Sequence, residues 1–351
     1  MARFQEIAMT MLRWLLGSVF LFSGAVKCVD PVGTAIYVEK YLATYSLAEF
    51  TGASEVIAIA LMTVEFAMGL LLILGVWRRG VALLSSAILL LFCVVTLLSA
   101  TVLPIGDCGC FGDAVKLSPW GTFFKNLVLL PISIYLWYNA ERDYSFTKVD
   151  IVCVAIALIL PFSVSLYTIS NMPLVDFLHY KVGTNLRDDV AKERVLVEKS
   201  TRTVLRFRDI ANGTIVEFDA MDTECWSDEN LEFEESVTIS DSNVEFKYSD
   251  FVLYDRDGND VTTEILNRDG RIALLCINDA SSIDQASKRA IEHLYMLYPA
   301  TAIYIVSASN IDTGLSSPHL LVDAMTLRSI IRADVGIVVL RDGVVEYKNS
   351  I

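Results

Sequence analysis

Histidine is nearly missing from this chain: three in 351 residues, His179, His293 and His319, all in the second half. A metal centre built on imidazole therefore has nothing to draw on in the first half. Cysteine is sparse too, and seven residues, an odd number, exclude the dense disulfide framework of a small secreted domain. Basic charge is in deficit. Lys and Arg number 28 against 42 Asp and Glu, for a net charge of −14, and almost all of the imbalance falls after Asp176. So acidic a region argues against nucleic acid and against docking on anionic lipid. It is compatible with a basic protein partner, although an acidic face is more often just a solvated one.

Apolar residues are plentiful, at 54%, and the mean hydropathy is +0.50. They crowd into the first 169 residues, where five runs, Ile7–Val26, Ser54–Val76, Val81–Leu103, Trp120–Tyr138 and Val149–Ile169, are each long enough to cross a hydrocarbon core of roughly 30 Å. Backbone polar groups must be satisfied within lipid, so these runs read as helices. The first has no small-x-small cleavage site after Phe22-Ser23-Gly24-Ala25, which argues against a signal peptide. Arg3 and Arg13, Arg78 and Arg79, and Arg142 and Lys148 fall on one side if the N-terminus is cytoplasmic. Lys27, Lys40 and Lys116 fall on the other side, against the bias. Five crossings put the two termini on opposite faces. The reading is a bacterial inner-membrane protein whose second half is periplasmic.

The segment with most chemistry in it is Pro104 to Asp113, which carries Asp107-Cys108-Gly109-Cys110-Phe111-Gly112-Asp113. Gly106, Gly109 and Gly112 let the backbone fold tightly there. A Cys-x-Cys disulfide closes a small strained ring, which is easy to reduce and suits exchange. The rival readings are a static loop clip and half of a metal site needing ligands from elsewhere. Lys125 and Asn126 follow a short way into the next run, where a cation near the sulfurs lowers a thiol pKa or else snorkels to the interface. Glu65 sits mid-run, where insertion costs about 2.5–3.5 kcal/mol, and so points to a proton-handling or ligand-contacting role. Its bland reading is a protonated carboxyl bonded to a neighbouring helix.

Arg13, Phe22-Ser23-Gly24-Ala25-Val26-Lys27, Asp30-Pro31, Glu65 with Gly69, the Asp107–Asp113 motif, and Phe124-Lys125-Asn126 together resemble the DoxX/MauE group of redox-associated membrane proteins, over about the first 140 residues. The resemblance implies a four-helix membrane bundle. It implies Cys108 and Cys110 as the redox pair, with Glu65, Lys125, Asn126, Asp107 and Asp113 in support. Relatives are tied to quinone-linked sulfur oxidation or to maturation of a disulfide-rich periplasmic subunit, so a quinone is a candidate acceptor. A fifth span and a large polar region resemble a Bacteroidetes-type arrangement.

The polar half divides again. Tyr180–Val244 reads as β-rich, with strands Arg202–Asp209 and Thr214–Asp219 joined by a turn at Asn212-Gly213. Asp222–Glu235 reads as an acidic loop carrying Cys225-Trp226. From Phe251 strands and helices alternate: strand Arg271–Asn278, helix Ile283–Tyr298, strand Ala300–Val306, helix Leu320–Arg332, and a hairpin of Gly336–Leu340 with Val344–Tyr347. This order resembles a thioredoxin-like fold, with Phe251–Gly258 similar to the entry strands of peroxiredoxin-type members. The turn where that family carries Cys-x-x-Cys reads Asn278-Asp279-Ala280-Ser281-Ser282, and Val335 stands where its proline is expected. Cys276 lies within a strand. The domain is therefore expected to be redox-inactive, a scaffold for binding thiol proteins or peptides.

The sequence thus gives an α-helical membrane bundle, four-helix and DoxX-like plus a fifth span, followed by an α+β region ending in a thioredoxin-like α/β domain. The boundaries are 1–140, 141–172, 173–248 and 249–351. Its function reads as a membrane thiol–disulfide redox or disulfide-maturation accessory protein with an extracytoplasmic protein partner. The alternative is a non-enzymatic envelope scaffold with a structural Cys-Gly-Cys clip. A transporter, prompted only by Glu65, lacks inverted repeats and broken helices.

Overall fold

The computed structural model describes the chain except residues 1, 103–107, 142–144, 211–212, 229, 241–245, 280–282, 284–287, 290, 294–295, 297–300, 312–314 and 316. Asp107, Gly106, Arg142, Asn212 and the Ala280-Ser281-Ser282 turn lie outside the described residues, as does the side chain of Arg3. Two compact units divide at Leu178 and His179.

The first unit is helical. Its elements are α1 (Ala2–Val29), α2 (Pro31–Thr44), a 3-10 turn (Ala48–Ala53), α3 (Ser54–Leu74), α4 (Arg78–Thr101), α5 (Pro119–Asn139) and α6 (Lys148–Ser170). Four stretches, Phe4–Val29, Ala48–Leu74, Arg78–Thr101 and Lys148–Ile169, are long and apolar enough to cross a membrane. The fourth predicted span is also a helix, the 21-residue α5. It is not among those four, since Lys125, Asn126 and Pro131 dilute its apolar content.

The stretch after the first apolar run folds into α2. Asp30 caps it by accepting from Gly33 N at 2.8 Å, and Pro31 at the first position has no N–H to lose. Ala35 then packs with Cys28, Ala58 and Met62. The helix holds because it buries this small apolar face on its neighbours.

Helix α1 packs along α3, α4 along α5, and α6 on α3. The α1–α3 contact depends on glycine. A Cβ on Gly24 would strike the backbone of Phe66, and one on Gly69 would strike the backbone of Leu21. Small residues let helices approach this closely in a membrane, where dispersion contacts rather than water expulsion drive association. The approach sets Ser23 and Lys27 of α1 against Glu65 of α3. Leu16, Phe20, Met68, Leu72, Leu89 and Leu129 fill the core around the crossing.

The second unit holds two sheets. Helix α7 (Leu186–Ser200) precedes strands β1 (Thr201–Asp209), β2 (Ile215–Asp219) and β3 (Leu231–Ser240), which form an antiparallel sheet in the order β2-β1-β3. The segment Tyr180–Val244, read as β-rich, holds these three strands and also the helix, which that reading did not include. The helix's buried Leu186 and Val190 are four residues apart, a helical spacing. Strand β3 corrects the acidic-loop reading of Asp222–Glu235. Glu232 and Glu235 lie exposed on it, Arg206 pairs with Glu235 at 2.9 Å, and Arg208 pairs with Glu234. Acidic residues are tolerated in a strand whose polar side meets arginines across the ladder. Phe207, Phe218, Phe233 and Trp226 make the sheet's apolar cluster.

Next come a short helix α8 (Thr262–Leu266) and strands β4 (Arg271–Ile277), β5 (Ala302–Ser307) and β6 (His319–Leu321). Helix α9 (Ala324–Ile330) and strands β7 (Val335–Arg341) and β8 (Val344–Ser350) complete the chain. Residues 288–289, 291–293 and 296 are helical between β4 and β5. The sheet order is β6-β5-β4-β7-β8, with β4 parallel to β5, β5 parallel to β6, and β7 antiparallel to both β4 and β8. The predicted helix from Leu320 starts later, at Ala324. His319–Leu321 pairs with β5, and Asp323 then caps the helix by accepting from Met325 N and Thr326 N. Phe251–Gly258 forms no named strand; Tyr254 makes only isolated bridges, to Asp260 and Leu321. Alternate residues of β4 fill opposite faces, Ala273, Leu275 and Ile277 joining a core with Ile291, Ile305 and Ile337, while Leu274 and Cys276 are buried on the other. A sheet covered on both faces gives near-continuous apolar strands, which is why they are legible in sequence.

Candidate functional site

Cys108 and Cys110 lie in the connection between α4 and α5. Their sulfurs are 3.1 Å apart and unbonded. Gly109 between them has φ +64, a left-handed conformation that a side chain strains. A Cβ there would also press into the Tyr37 ring. The loop closes on itself through Gly112 N donating to Gly109 O at 3.0 Å and a bridge between Phe111 and Val115.

Helix α2 holds this loop from one side. Tyr37 Oη donates to Asp113 Oδ1 at 3.1 Å, and Tyr41 Oη to Cys108 O at 3.4 Å. Helix α1 holds it from another. Ser23 Oγ lies 2.7 Å from Cys110 O and 2.7 Å from Glu65 Oε2, and Phe22 packs on Phe111 at 5.5 Å. Lys125 of α5 sits over the Phe111 ring at 4.4 Å, a cation–π contact that keeps its charge beside the loop.

Beneath lies a buried ion pair. Lys27 Nζ is 2.7 Å from both Glu65 oxygens, and the two side chains are 3% and 0% exposed. Two cavities flank it. One of about 190 Å³ is walled by Lys27, Tyr37, Tyr41, Phe92, Cys108 and Cys110. A smaller one of about 20 Å³ is lined by Ser23, Glu65, Cys110, Lys125, Asn126 and Phe92. Asn126 is 1% exposed, and its Nδ2 has no hydrogen-bond partner among the described residues.

The two thiols are not equivalent. Cys108 is held down to about 6, first by the hydrogen bond from Cys110. Burial opposes this, and Tyr41, Thr122 and the Lys125 charge assist it. Cys110 is pushed up, because it keeps the proton it donates to Cys108 and is itself desolvated. The arrangement is a thiolate at Cys108 beside a thiol at Cys110, the asymmetry that thiol–disulfide exchange needs.

The structure therefore brings together Cys108, Cys110, Glu65, Lys125, Asn126 and Asp113 of the sequence-derived set, and Asp107 lies outside the described residues. Sequence reasoning missed Ser23, Tyr37, Tyr41 and Thr122. It counted Lys27 as an exception to the charge bias and as part of the Phe22–Lys27 segment of the resemblance, without pairing it with Glu65. Elsewhere, Cys276 is fully buried, which pushes its thiol up to about 12 and leaves it inert. His319 Nε2 meets Ser307 Oγ at 2.5 Å. Among the described residues no group of His, Cys, Asp and Glu could hold a metal ion.

Protein TlpB of Flavobacterium psychrophilum is 27% identical over 138 residues, 37% of this chain and 36% of that protein, so the match spans only about a third of the relative's length. No solved structure matches the chain. Residues 5–139, which carry every residue of the site just described, match the family described as methylamine utilisation protein MauE, and with the long apolar helices this makes the chain a membrane protein.

Proposed function

We propose that this is a membrane thiol–disulfide redox or disulfide-maturation accessory protein in which Cys108 and Cys110 cycle between dithiol and disulfide. The observation that carries the reading is two unbonded sulfurs 3.1 Å apart, one favoured as thiolate and the other as thiol, on the wall of an open cavity. The Cys108 thiolate attacks a partner disulfide and forms a mixed disulfide. Cys110 then attacks Cys108 and releases the partner reduced. In the opposite direction the protein's disulfide oxidises a partner dithiol.

The cavity beside the sulfurs suits a lipid-soluble two-electron acceptor such as a quinone ring. Its volume of about 190 Å³ exceeds the roughly 150 Å³ that takes a benzene ring in an engineered protein cavity. Its walls are largely aliphatic and aromatic, with Tyr37, Tyr41 and Lys27 as polar donors.

The finer placement belongs to the same proposal: a DoxX-like bundle in the bacterial inner membrane with α5 as its fourth crossing, α6 as the fifth span, and the cysteine loop and second unit on the periplasmic face. The parallel–antiparallel order of the five-stranded sheet supports a thioredoxin-like scaffold without its nucleophile, which presents or receives an extracytoplasmic protein partner.

The test is to alkylate the thiols of the membrane-embedded protein across a series of redox buffers. The proposal expects Cys108 and Cys110 to convert together at a potential within the range of exchange catalysts. A pair that stays oxidised below about −300 mV is a structural clip, and the protein is then a non-enzymatic scaffold.

A further inference from the structure

Ser23 has one hydroxyl proton and two acceptors, each at 2.7 Å: the Glu65 carboxylate oxygen Oε2 and the Cys110 carbonyl. A carboxylate and a carbonyl both lack a proton to give. Ser23 serves one of them at a time, while Glu65 Oε2 also accepts from Lys27 Nζ at 2.7 Å. Ser23 thus bridges the carboxylate and the cysteine loop, and a proton delivered to this contact would let both acceptors be served at once.

The small cavity supplies the link to the sulfur. At about 20 Å³ it is large enough for one water, which needs roughly 10–15 Å³. Cys110, Ser23, Glu65 and Asn126 line it, and the unpartnered Asn126 Nδ2 is the polar group such a water would satisfy. Lys27, bonded to both Glu65 oxygens, lines the larger cavity instead. The ion pair therefore spans the two cavities, with its acid toward Cys110's enclosed side and its base toward the open one.

We propose that Glu65, through Ser23 and one buried water, takes the proton of Cys110 when the pair closes to a disulfide. This rests on the reading of Cys108 and Cys110 as an exchanging pair. Cys108, as thiolate, attacks a disulfide R–S–S–R, giving Cys108–S–S–R and one RS⁻. The bound R group then covers the open cavity, so the Cys110 proton must leave by the enclosed side. It passes to Glu65, the Cys110 thiolate attacks Cys108 Sγ, and the second RS⁻ departs. Two electrons pass from the cysteine pair to the disulfide, and the proton resides on Glu65 until, with the second RS⁻ gone, the Lys27 ammonium releases one of its own protons to the open cavity and takes that of Glu65 in its place.

The experiment uses the full chain in lipid nanodiscs, fully reduced, mixed in a stopped-flow cell with excess of a chromogenic aromatic disulfide. Each attack releases one coloured thiolate. The first release reports Cys108 and depends on reagent concentration; the second reports closure by Cys110 and does not. The proposal expects Glu65→Gln and Ser23→Ala each to slow the second phase about tenfold or more, the low end or below for a lost acid–base group, while the first phase stays within about twofold. Ser23→Ala leaves the Lys27–Glu65 pair whole and carries the test by itself if Glu65→Gln does not fold. An unchanged second phase overturns the relay, as does equal slowing of both phases, which is the mark of a merely structural role. A wild-type protein that gives no second phase overturns the exchanging pair, and the relay with it.

Discussion

Lys27 and Glu65, 38 residues apart in the chain, meet as a bidentate ion pair at 2.7 Å with almost no exposure to solvent. Breaking one member of such a pair leaves an uncompensated charge in a medium that cannot solvate it. Lys27→Met and Glu65→Leu are each expected to lower stability by about 3–5 kcal/mol, whereas the two substitutions together are expected to recover most of the loss. Thermal unfolding of the three variants in detergent, read as a double-mutant cycle, checks this. Additive losses would show that the pair is not coupled.

The glycine-dependent α1–α3 approach makes a separate prediction. A Cβ on Gly24 meets the backbone of Phe66, which cannot give way as a flexible side chain can. Gly24→Val is expected to cost about 1–3 kcal/mol by overpacking and to disturb the Lys27–Glu65 pair three residues on. Gly52→Val, with nothing within 4 Å of its Cβ, is the control and is expected to leave the melting temperature unchanged.

Thiol reactivity has a defined pH course. The Cys108 thiol is lowered to about 6, so its thiolate fraction rises through pH 6 and is nearly complete by pH 7. Alkylation by iodoacetamide in the reduced protein is expected to reach half its plateau near pH 6. Tyr41→Phe removes one of the stabilising hydrogen bonds and Cys110→Ala removes the largest, so both shift the midpoint upward. A wild-type midpoint near 8.5, the value of a free thiol, would contradict the asymmetry between the two sulfurs. Cys276, buried and raised to about 12, is expected to resist the reagent until the chain is unfolded.

If the pair exchanges, its members are interdependent. Cys108→Ser and Cys110→Ser are expected to abolish disulfide-exchange turnover equally, with unchanged abundance in the membrane fraction. Turnover that survives both substitutions would remove the proposed chemistry.

How much of this was legible beforehand differs between residues. The helices of the first unit announce themselves, because about 20 apolar residues in succession have no other way to satisfy their backbone in lipid. Cys108, Gly109 and Cys110 were visible as a local motif, and Glu65 stood out as a charge in an apolar run. Helix α2 did not stand out. It is short, and its apolar face is defined by α1, α3 and α6 packed against it, so Tyr37 and Tyr41 gave no sign that they reach the cysteine loop.

The long apolar helices, the tight glycine-hinged loop and the buried-strand pattern of β4, β5 and β7 follow from the chain's local order, since each depends on residues adjacent in it. The tertiary structure alone decided that Ser23, Lys27 and Glu65 share one site with Cys110. That juxtaposition depends on Gly24 and Gly69 letting two helices touch backbone to backbone, and distance across a helix crossing leaves no periodicity along the chain.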